Sequence, residues 1–135
     1  MNKTPLGHMQ FNVNADNLEF YRDLMGFLNW ETLHDGDGML GVASDYGLSV
    51  WFAGGAKVVS NDYDGLGLNH FAFAATSIAD VNEAASYLKD HNVDALFETP
   101  RHRTVFAEGD DQTYYQVMFE SPDRILFEVV YTGPK

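Results

Sequence analysis

The chain contains no cysteine, which excludes disulfides, thiolate metal sites and cysteine nucleophiles, and leaves the redox compartment unreported. Basic residues are scarce as well: 8 Lys and Arg stand against 20 Asp and Glu, a formal charge of -12. Such a surface repels phosphate backbones and anionic lipid at long range, so nucleic acid is not an expected partner. Long apolar runs are also missing. No stretch approaches the roughly 20 apolar residues of a membrane span, and the opening "MNKTPLGHMQ" has no apolar segment of signal-peptide length. The expectation is a soluble, cytoplasmic protein without a membrane partner. The 135 residues make one domain's worth of sequence, enough to bury about two-thirds of the surface that the unfolded chain exposes.

What the chain does contain is a repeat. "LGHMQFNV" (6–13) and "LNHFAFAA" (68–75) each place one histidine ahead of a short apolar run, after a turn-forming Gly or Asn. Behind the first comes "NADNLEFYRDLMGF", where Asp16 is a candidate helix cap, Glu19 suits the first turn, and Leu18, Tyr21, Leu24 and Met25 fall at helical spacing. Gly26 is the expected stop. Strands are predicted over 29–33, 39–44 and 48–52, separated by "HDGDG" and "DYG" turn signals. The stretch "AGGAKVVSNDYDGLG" reads as a linker. After it the order recurs: a strand, a cap at Ser77, a helix striped by Ile78, Val81, Ala84, Ala85 and Leu88 with Asn92 at its end, then strands in "NVDALFE", "TYYQVMFE" and "ILFEVVY". The organisation expected is α+β: two tandem βαβββ modules, about 5–53 and 67–132, within a single domain over 1–135.

Strand alternation assigns the faces. Met9, Phe11 and Val13 oppose His8, Gln10 and Asn12; Phe71 and Phe73 oppose His70, Ala72 and Ala74. Leu48, Val50 and Phe52 oppose Ser49 and Trp51, while Tyr115, Val117 and Phe119 oppose Tyr114, Gln116 and Met118. Ile125, Phe127 and Val129 oppose Leu126, Glu128 and Val130. One face of each sheet is therefore apolar enough to bury against a helix. The other is mixed, and it carries His8, His70 and Glu128.

Over nearly its whole length the chain resembles the vicinal oxygen chelate superfamily, which includes glyoxalase I, extradiol dioxygenases, and fosfomycin- and bleomycin-resistance proteins. The resemblance is carried by "GHMQFNV…FYRDLMGF", "GLNHFAFAATSIADVNEA" and "YYQVMFESPDRILFEVV". It implies that the paired modules form a half-barrel around a divalent metal, either iron, manganese, zinc or nickel, with His8, His70 and Glu128 as ligands. Ser121, Pro122 and Asp123 hold the turn ahead of the acidic ligand, with Arg124 and Ile125 in place of the family's usual Gly and Asn. The first module's counterpart of Glu128 falls at Trp51, or at Ser49 if the register slips by two. Neither is a usual ligand, so the four-ligand chemistry of glyoxalase I loses its acidic proton carrier and a facial triad with open positions remains.

The expectation is a metal-dependent lyase, dioxygenase or transferase-type enzyme acting on a small oxygenated substrate. The alternative is a ligand-sequestering protein of the bleomycin-resistance kind. Each residue also has a plainer reading: a lone strand histidine is more often a hydrogen-bonded structural residue, and Glu128 could simply pair with Arg124. Trp51, Tyr114 and Met118 are either apolar filler or the walls of a substrate pocket. The "RHR" cluster at 101–103 is either a solvated loop or a cationic lip, in which Arg101 and Arg103 orient an anionic substrate. Met118 stands where fosfomycin-type transferases and extradiol dioxygenases carry a Tyr. A homodimer is expected, because Trp51, Met118 and Val130 would otherwise form an exposed apolar patch.

Overall fold

The computed structural model describes all 135 residues, which divide into two compact units, Met1–Ser60 and Asn61–Lys135. The first unit runs β1 (His8–Asn12), a 3-10 turn (Ala15–Asn17), α1 (Leu18–Phe27), β2 (Glu31–Gly36), β3 (Met39–Ala43) and β4 (Ser49–Ala53). The second repeats the order with β5 (Phe71–Ala74), α2 (Ile78–Asp90), β6 (Leu96–His102), a 3-10 turn (Thr104–Phe106), β7 (Gln112–Glu120) and β8 (Leu126–Pro134). Each unit is thus one βαβββ module. The sheets share one topology, β1-β4-β3-β2 and β5-β8-β7-β6. In both, the first strand lies parallel to the last, and the remaining neighbours are antiparallel.

The apolar faces are those that alternation assigns. In the first unit Phe11, Tyr21, Leu24, Met25, Leu40, Val42, Val50 and Phe52 are buried, with Tyr21 stacked on Phe52 at 4.5 Å between ring centroids. The second unit buries Phe73, Val81, Ala84, Leu88, Val117, Phe119, Phe127 and Val129, and Phe73 and Phe119 both stack on Phe127. Truncating a ring at the centre of either cluster removes about 3–5 kcal/mol. The opposite face of the second sheet is more closed than alternation alone implies. Gln116, Met118, Leu126 and Glu128 are all buried there, while Trp51 and Val130 are half-buried. The exposed patch expected of Trp51, Met118 and Val130 is therefore reduced, with Met118 withdrawn from it.

Helix ends correct the sequence reading in an informative way. The cap at the first module is Asn14, whose side chain accepts from the Asp16 backbone N–H, and not Asp16 itself. Gly26 lies inside α1, which ends at Phe27 with Leu28 as its cap, and the left-handed residue that turns the chain is Asn29 just beyond (φ 62°). There Asn29 N–H donates to Gly26 O and Trp30 N–H to Met25 O, the paired bonds of a Schellman ending. Helix α2 ends identically, with Asn92 left-handed (φ 58°), Asn92 N–H on Lys89 O and Val93 N–H on Leu88 O. The counterpart of Asn92 is thus Asn29. At its other end α2 is capped by Ser77 as expected, with Asp80 taking the Thr76 hydroxyl. That hydrogen bond holds the Asp80 carboxyl below the usual range.

Strand β6 differs most from expectation. Asn92 and Val93 are consumed by the helix ending, so the strand begins at Leu96 and runs on through Arg101 and His102. Its register on β7 shifts between Leu96 and Arg101, where Phe97 and Glu98 are both left-handed. Thr99 bridges the gap: its hydroxyl donates to Leu96 O and accepts from Met118 N–H. Arg101 and His102 are accordingly strand residues facing Gln116 and Tyr115, and the "RHR" cluster is a loop only at Arg103.

The helix ending yields a prediction with two signs. A β-branched residue forced left-handed costs roughly 1–2 kcal/mol, whereas glycine adopts that conformation freely. Asn92→Val should lower the stability of the chain by about that amount in urea unfolding, and Asn92→Gly should leave it unchanged or raised. Equal losses for both would show that the side chain, and not the backbone conformation, is what Asn92 contributes.

Candidate functional site

Glu128 lies in β8, between Ala72 of β5 and Met118 of β7 in register. Alternation turns its side chain away from the Phe127 and Val129 face. It is only 1% exposed, and an unpartnered carboxylate there would cost several kcal/mol. It has two partners. His70 Nε2 lies 3.0 Å from Glu128 Oε2, and the Tyr114 hydroxyl donates to Oε1 at 2.5 Å. His70 immediately precedes β5 and is a diagonal neighbour of Glu128, two residues ahead of Ala72, a distance that long side chains span. Tyr114 reaches the same carboxylate from β7.

Burial first, and then the bond to Glu128, push the Tyr114 phenol well above its usual range. Tyr114 is thus a fixed donor, and it holds one carboxylate oxygen while His70 faces the other. Its ring also packs edge-on against Phe106 at 5.3 Å, and Arg103 sits over Phe106 at 5.1 Å from the ring centroid. Arg103 has no carboxylate partner, whereas Arg101 pairs with Glu98 at 3.2 Å. The two arginines are therefore not equivalent: Arg101 pairs with a carboxylate of its own strand, although its buried Nε has no partner, and Arg103 rests on an aromatic ring with no carboxylate beside it.

The alternative pairing of Glu128 with Arg124 is not formed. Arg124 lies in the β7–β8 turn, left-handed (φ 57°), 4.0 Å from Glu120 and over the ring of Tyr63. Two residues that alternation could not single out support His70 instead. Asn69 Oδ1 lies 2.7 Å from His70 Nδ1, and Asn69 Nδ2 donates to Tyr63 O at 3.0 Å. Tyr63 is anchored by its hydroxyl on Glu120 Oε2 at 2.5 Å, a bond that raises the phenol above its usual range. Asn69 stands beside the histidine in "LNHFAF", so a polar neighbour was visible. Tyr63 and Glu120 are 57 positions apart, which no local pattern reports.

In the first unit His8 opens β1, exposed, at the position equivalent to His70. Gln10 pairs with Trp51 as Ala72 pairs with Glu128, so the counterpart of Glu128 is Trp51 and not Ser49. The Trp51 indole N–H donates to Ser49 Oγ at 3.1 Å. Its ring lies over Gly41, where an added Cβ would overlap it. Module one therefore fills with an aromatic ring the place that module two gives to a carboxylate. Within the second unit the metal-capable donors at this point are two, His70 and Glu128, and neither unit by itself gathers a set of three.

Solved structures share this architecture. A candidate glyoxalase from Bacillus halodurans is 27% identical, with 93% of this chain and 94% of that one covered and a TM-score of 0.77. The fosfomycin resistance protein FosX from Listeria monocytogenes, complexed with Mn(II) and sulfate ion, is 20% identical over 99% and 93% of the two chains, with a TM-score of 0.68. A mutant of the same FosX, complexed with Mn(II) and 1S,2S-dihydroxypropylphosphonic acid, is 21% identical over 95% and 90%, with a TM-score of 0.66. No curated protein matches the chain. The model of the Glyoxalase/Bleomycin resistance protein/Dioxygenase superfamily matches residues 6–129. That span opens just ahead of His8 and closes just past Glu128, taking in both modules and their equivalent strands, and the chain belongs to this superfamily.

Proposed function

We propose that the protein is a metal-dependent enzyme acting on a small oxygenated substrate, with His70 and Glu128 among the ligands of a divalent ion. The observation that carries this reading is the buried Glu128 carboxylate facing His70 Nε2 at 3.0 Å. An imidazole nitrogen and a carboxylate oxygen at that separation are matched to a cation shared between them, and imidazole with carboxylate suits manganese, iron, zinc or nickel. His8 is the third ligand in this reading, an assignment resting on the repeat and not on a distance. Relatives that hold Mn(II) support the choice of a divalent metal. When bound, such an ion supplies Lewis acidity to a substrate that chelates it through neighbouring oxygens.

The chain's own residues define the rest. Trp51 at the fourth position offers no carboxylate to carry a proton, which disfavours the four-ligand chemistry of glyoxalase I. Tyr114 keeps its proton and fixes the Glu128 carboxylate, so it orients and does not act as a base. Arg103, stacked on Phe106 beside Tyr114 and free of any carboxylate, is the group we assign to an anionic substrate head. A phosphonate bound by a structural relative is one such chemistry. A second reading, ligand sequestration without turnover, draws on one observation: the Tyr114 hydroxyl donates to the buried Glu128 carboxylate without any metal. The homodimer expected from the sequence is supported by the sheet edges left at β1 and β5.

Metal content separates the two readings. The purified protein should hold Mn(II) stoichiometrically, and His70→Ala, Glu128→Ala or His8→Ala should each abolish that binding in a chelator-competition assay. Full occupancy in the His70→Ala protein would refute the ligand set.

The arginines give an independent test. Arg103→Gln should weaken binding of a simple phosphonate by about 10–100-fold, the loss expected for one charge-assisted hydrogen bond. Arg101→Gln should leave it unchanged, because that guanidinium is engaged by Glu98. Equal effects of the two substitutions, by titration calorimetry, would remove Arg103 from the site.

A further inference from the structure

Hydrogen-bond directions around Asn69 are fixed by chemistry. The Tyr63 backbone oxygen can only accept, so the Asn69 amide must turn its nitrogen toward it, at 3.0 Å. The amide oxygen then faces His70 Nδ1 at 2.7 Å, and since that oxygen too can only accept, Nδ1 must carry the hydrogen. With its hydrogen on Nδ1, a neutral ring turns the lone pair of Nε2 toward Glu128, an arrangement that a shared cation would satisfy; in the metal-free protein the direct contact to the carboxylate needs a hydrogen on Nε2 as well. Without Asn69 nothing would hold the hydrogen on Nδ1, because no other group is bonded there, and only the Glu128 contact at Nε2 would orient the ring.

The Tyr63 carbonyl is itself held. Asp62 closes a turn through Asp64 N–H and Gly65 N–H, and the Tyr63 hydroxyl is tied to Glu120 at the end of β7. Asn61 Nδ2 also donates to Arg124 O at 2.8 Å in the β7–β8 turn. The segment ahead of His70 is thus pinned to the hairpin that carries Glu128. A line of bonds runs from Glu120 through Tyr63 and Asn69 to His70, and ends on Glu128 and Tyr114.

We propose that Asn69 is a positioning residue: held by the Tyr63 carbonyl, it takes the Nδ1 hydrogen of His70 and thereby commits Nε2 to the Glu128 side. The inference rests on the metal-site reading for its consequence, but not for its geometry. Partners of a ligand's second nitrogen typically contribute about 10–100-fold to metal affinity, and Asn69, bonded to His70 Nδ1, is positioned to do so without touching the ion itself. Its side chain is exposed, so substitution there leaves the core intact.

Two measurements on Asn69→Leu and Asn69→Asp test this. The first is the nitrogen-15 spectrum of the histidine rings in metal-free protein, which reports directly whether His70 Nδ1 bears a hydrogen. The parent should show a protonated, hydrogen-bonded Nδ1; Asn69→Leu should lose that signal, and Asn69→Asp, which keeps an acceptor, should retain it. The second is Mn(II) affinity by competition, expected to fall about 10–100-fold in Asn69→Leu and by less in Asn69→Asp. An unchanged Nδ1 signal in Asn69→Leu would overturn the proposal whatever the metal does, as would unchanged Mn(II) affinity in that variant. A parent protein that binds no Mn(II) would sink the metal reading alone, and the ring spectrum would then decide whether Asn69 orients His70.

Discussion

A carboxylate closed off from solvent within a β-sheet is the constraint around which the second unit is arranged. Glu128 has β5 on one side of its strand and β7 on the other, so its neighbours in register are fixed by the ladder. A buried carboxylate left without hydrogen-bond partners is costly, so the groups that face Glu128 stabilise the strand that carries it. The same need explains why the segment before β5 is so heavily tied down. His70 precedes its strand, where the ladder no longer fixes it, and Asn69 and Tyr63 replace the missing backbone constraint.

The comparison between modules gives the pairing its meaning. Both units place a histidine at the start of the first strand and lay that strand parallel to the last. Two residues in from the histidine, however, one ladder pairs Gln10 with Trp51 and the other pairs Ala72 with Glu128. The neighbouring antiparallel strand adapts in each case: Gly41 leaves room for the indole ring, and Met118 packs beside the carboxylate. A duplicated scaffold thus carries one polar and one aromatic filling. This asymmetry is a local choice of side chains on an unchanged backbone plan.

Much of this was legible in the sequence because it depends on period. The two histidines, the apolar faces and the order of elements follow from alternation and helical spacing, and the structure returns them with Phe11, Phe52, Phe73 and Phe127 in the buried clusters. The resemblance carried by the two openings and the closing hairpin pointed to the superfamily that the match over residues 6–129 shows. What the pattern could not give were features that rest on particular hydrogen bonds. Gly26 looked like a helix stop, but the Schellman bonds select Asn29. Arg101 and Arg103 looked alike, but β6 extends through the first, which pairs with Glu98, and stops short of the second, which rests on Phe106. Asn69 and Tyr63 act through a backbone carbonyl and a partner far away in sequence, and neither leaves a periodic trace.

We propose that the facing atoms of His70 and Glu128 form part of a cation site. Anomalous scattering from crystals of the protein grown with Mn(II) tests it most directly. The expected result is a manganese peak bonded to both His70 Nε2 and Glu128 Oε2, with Asn69 still on His70 Nδ1 and Tyr114 still on Glu128 Oε1. A manganese-free site in which His70 and Glu128 remain in direct contact, or a peak held by other residues, would contradict it.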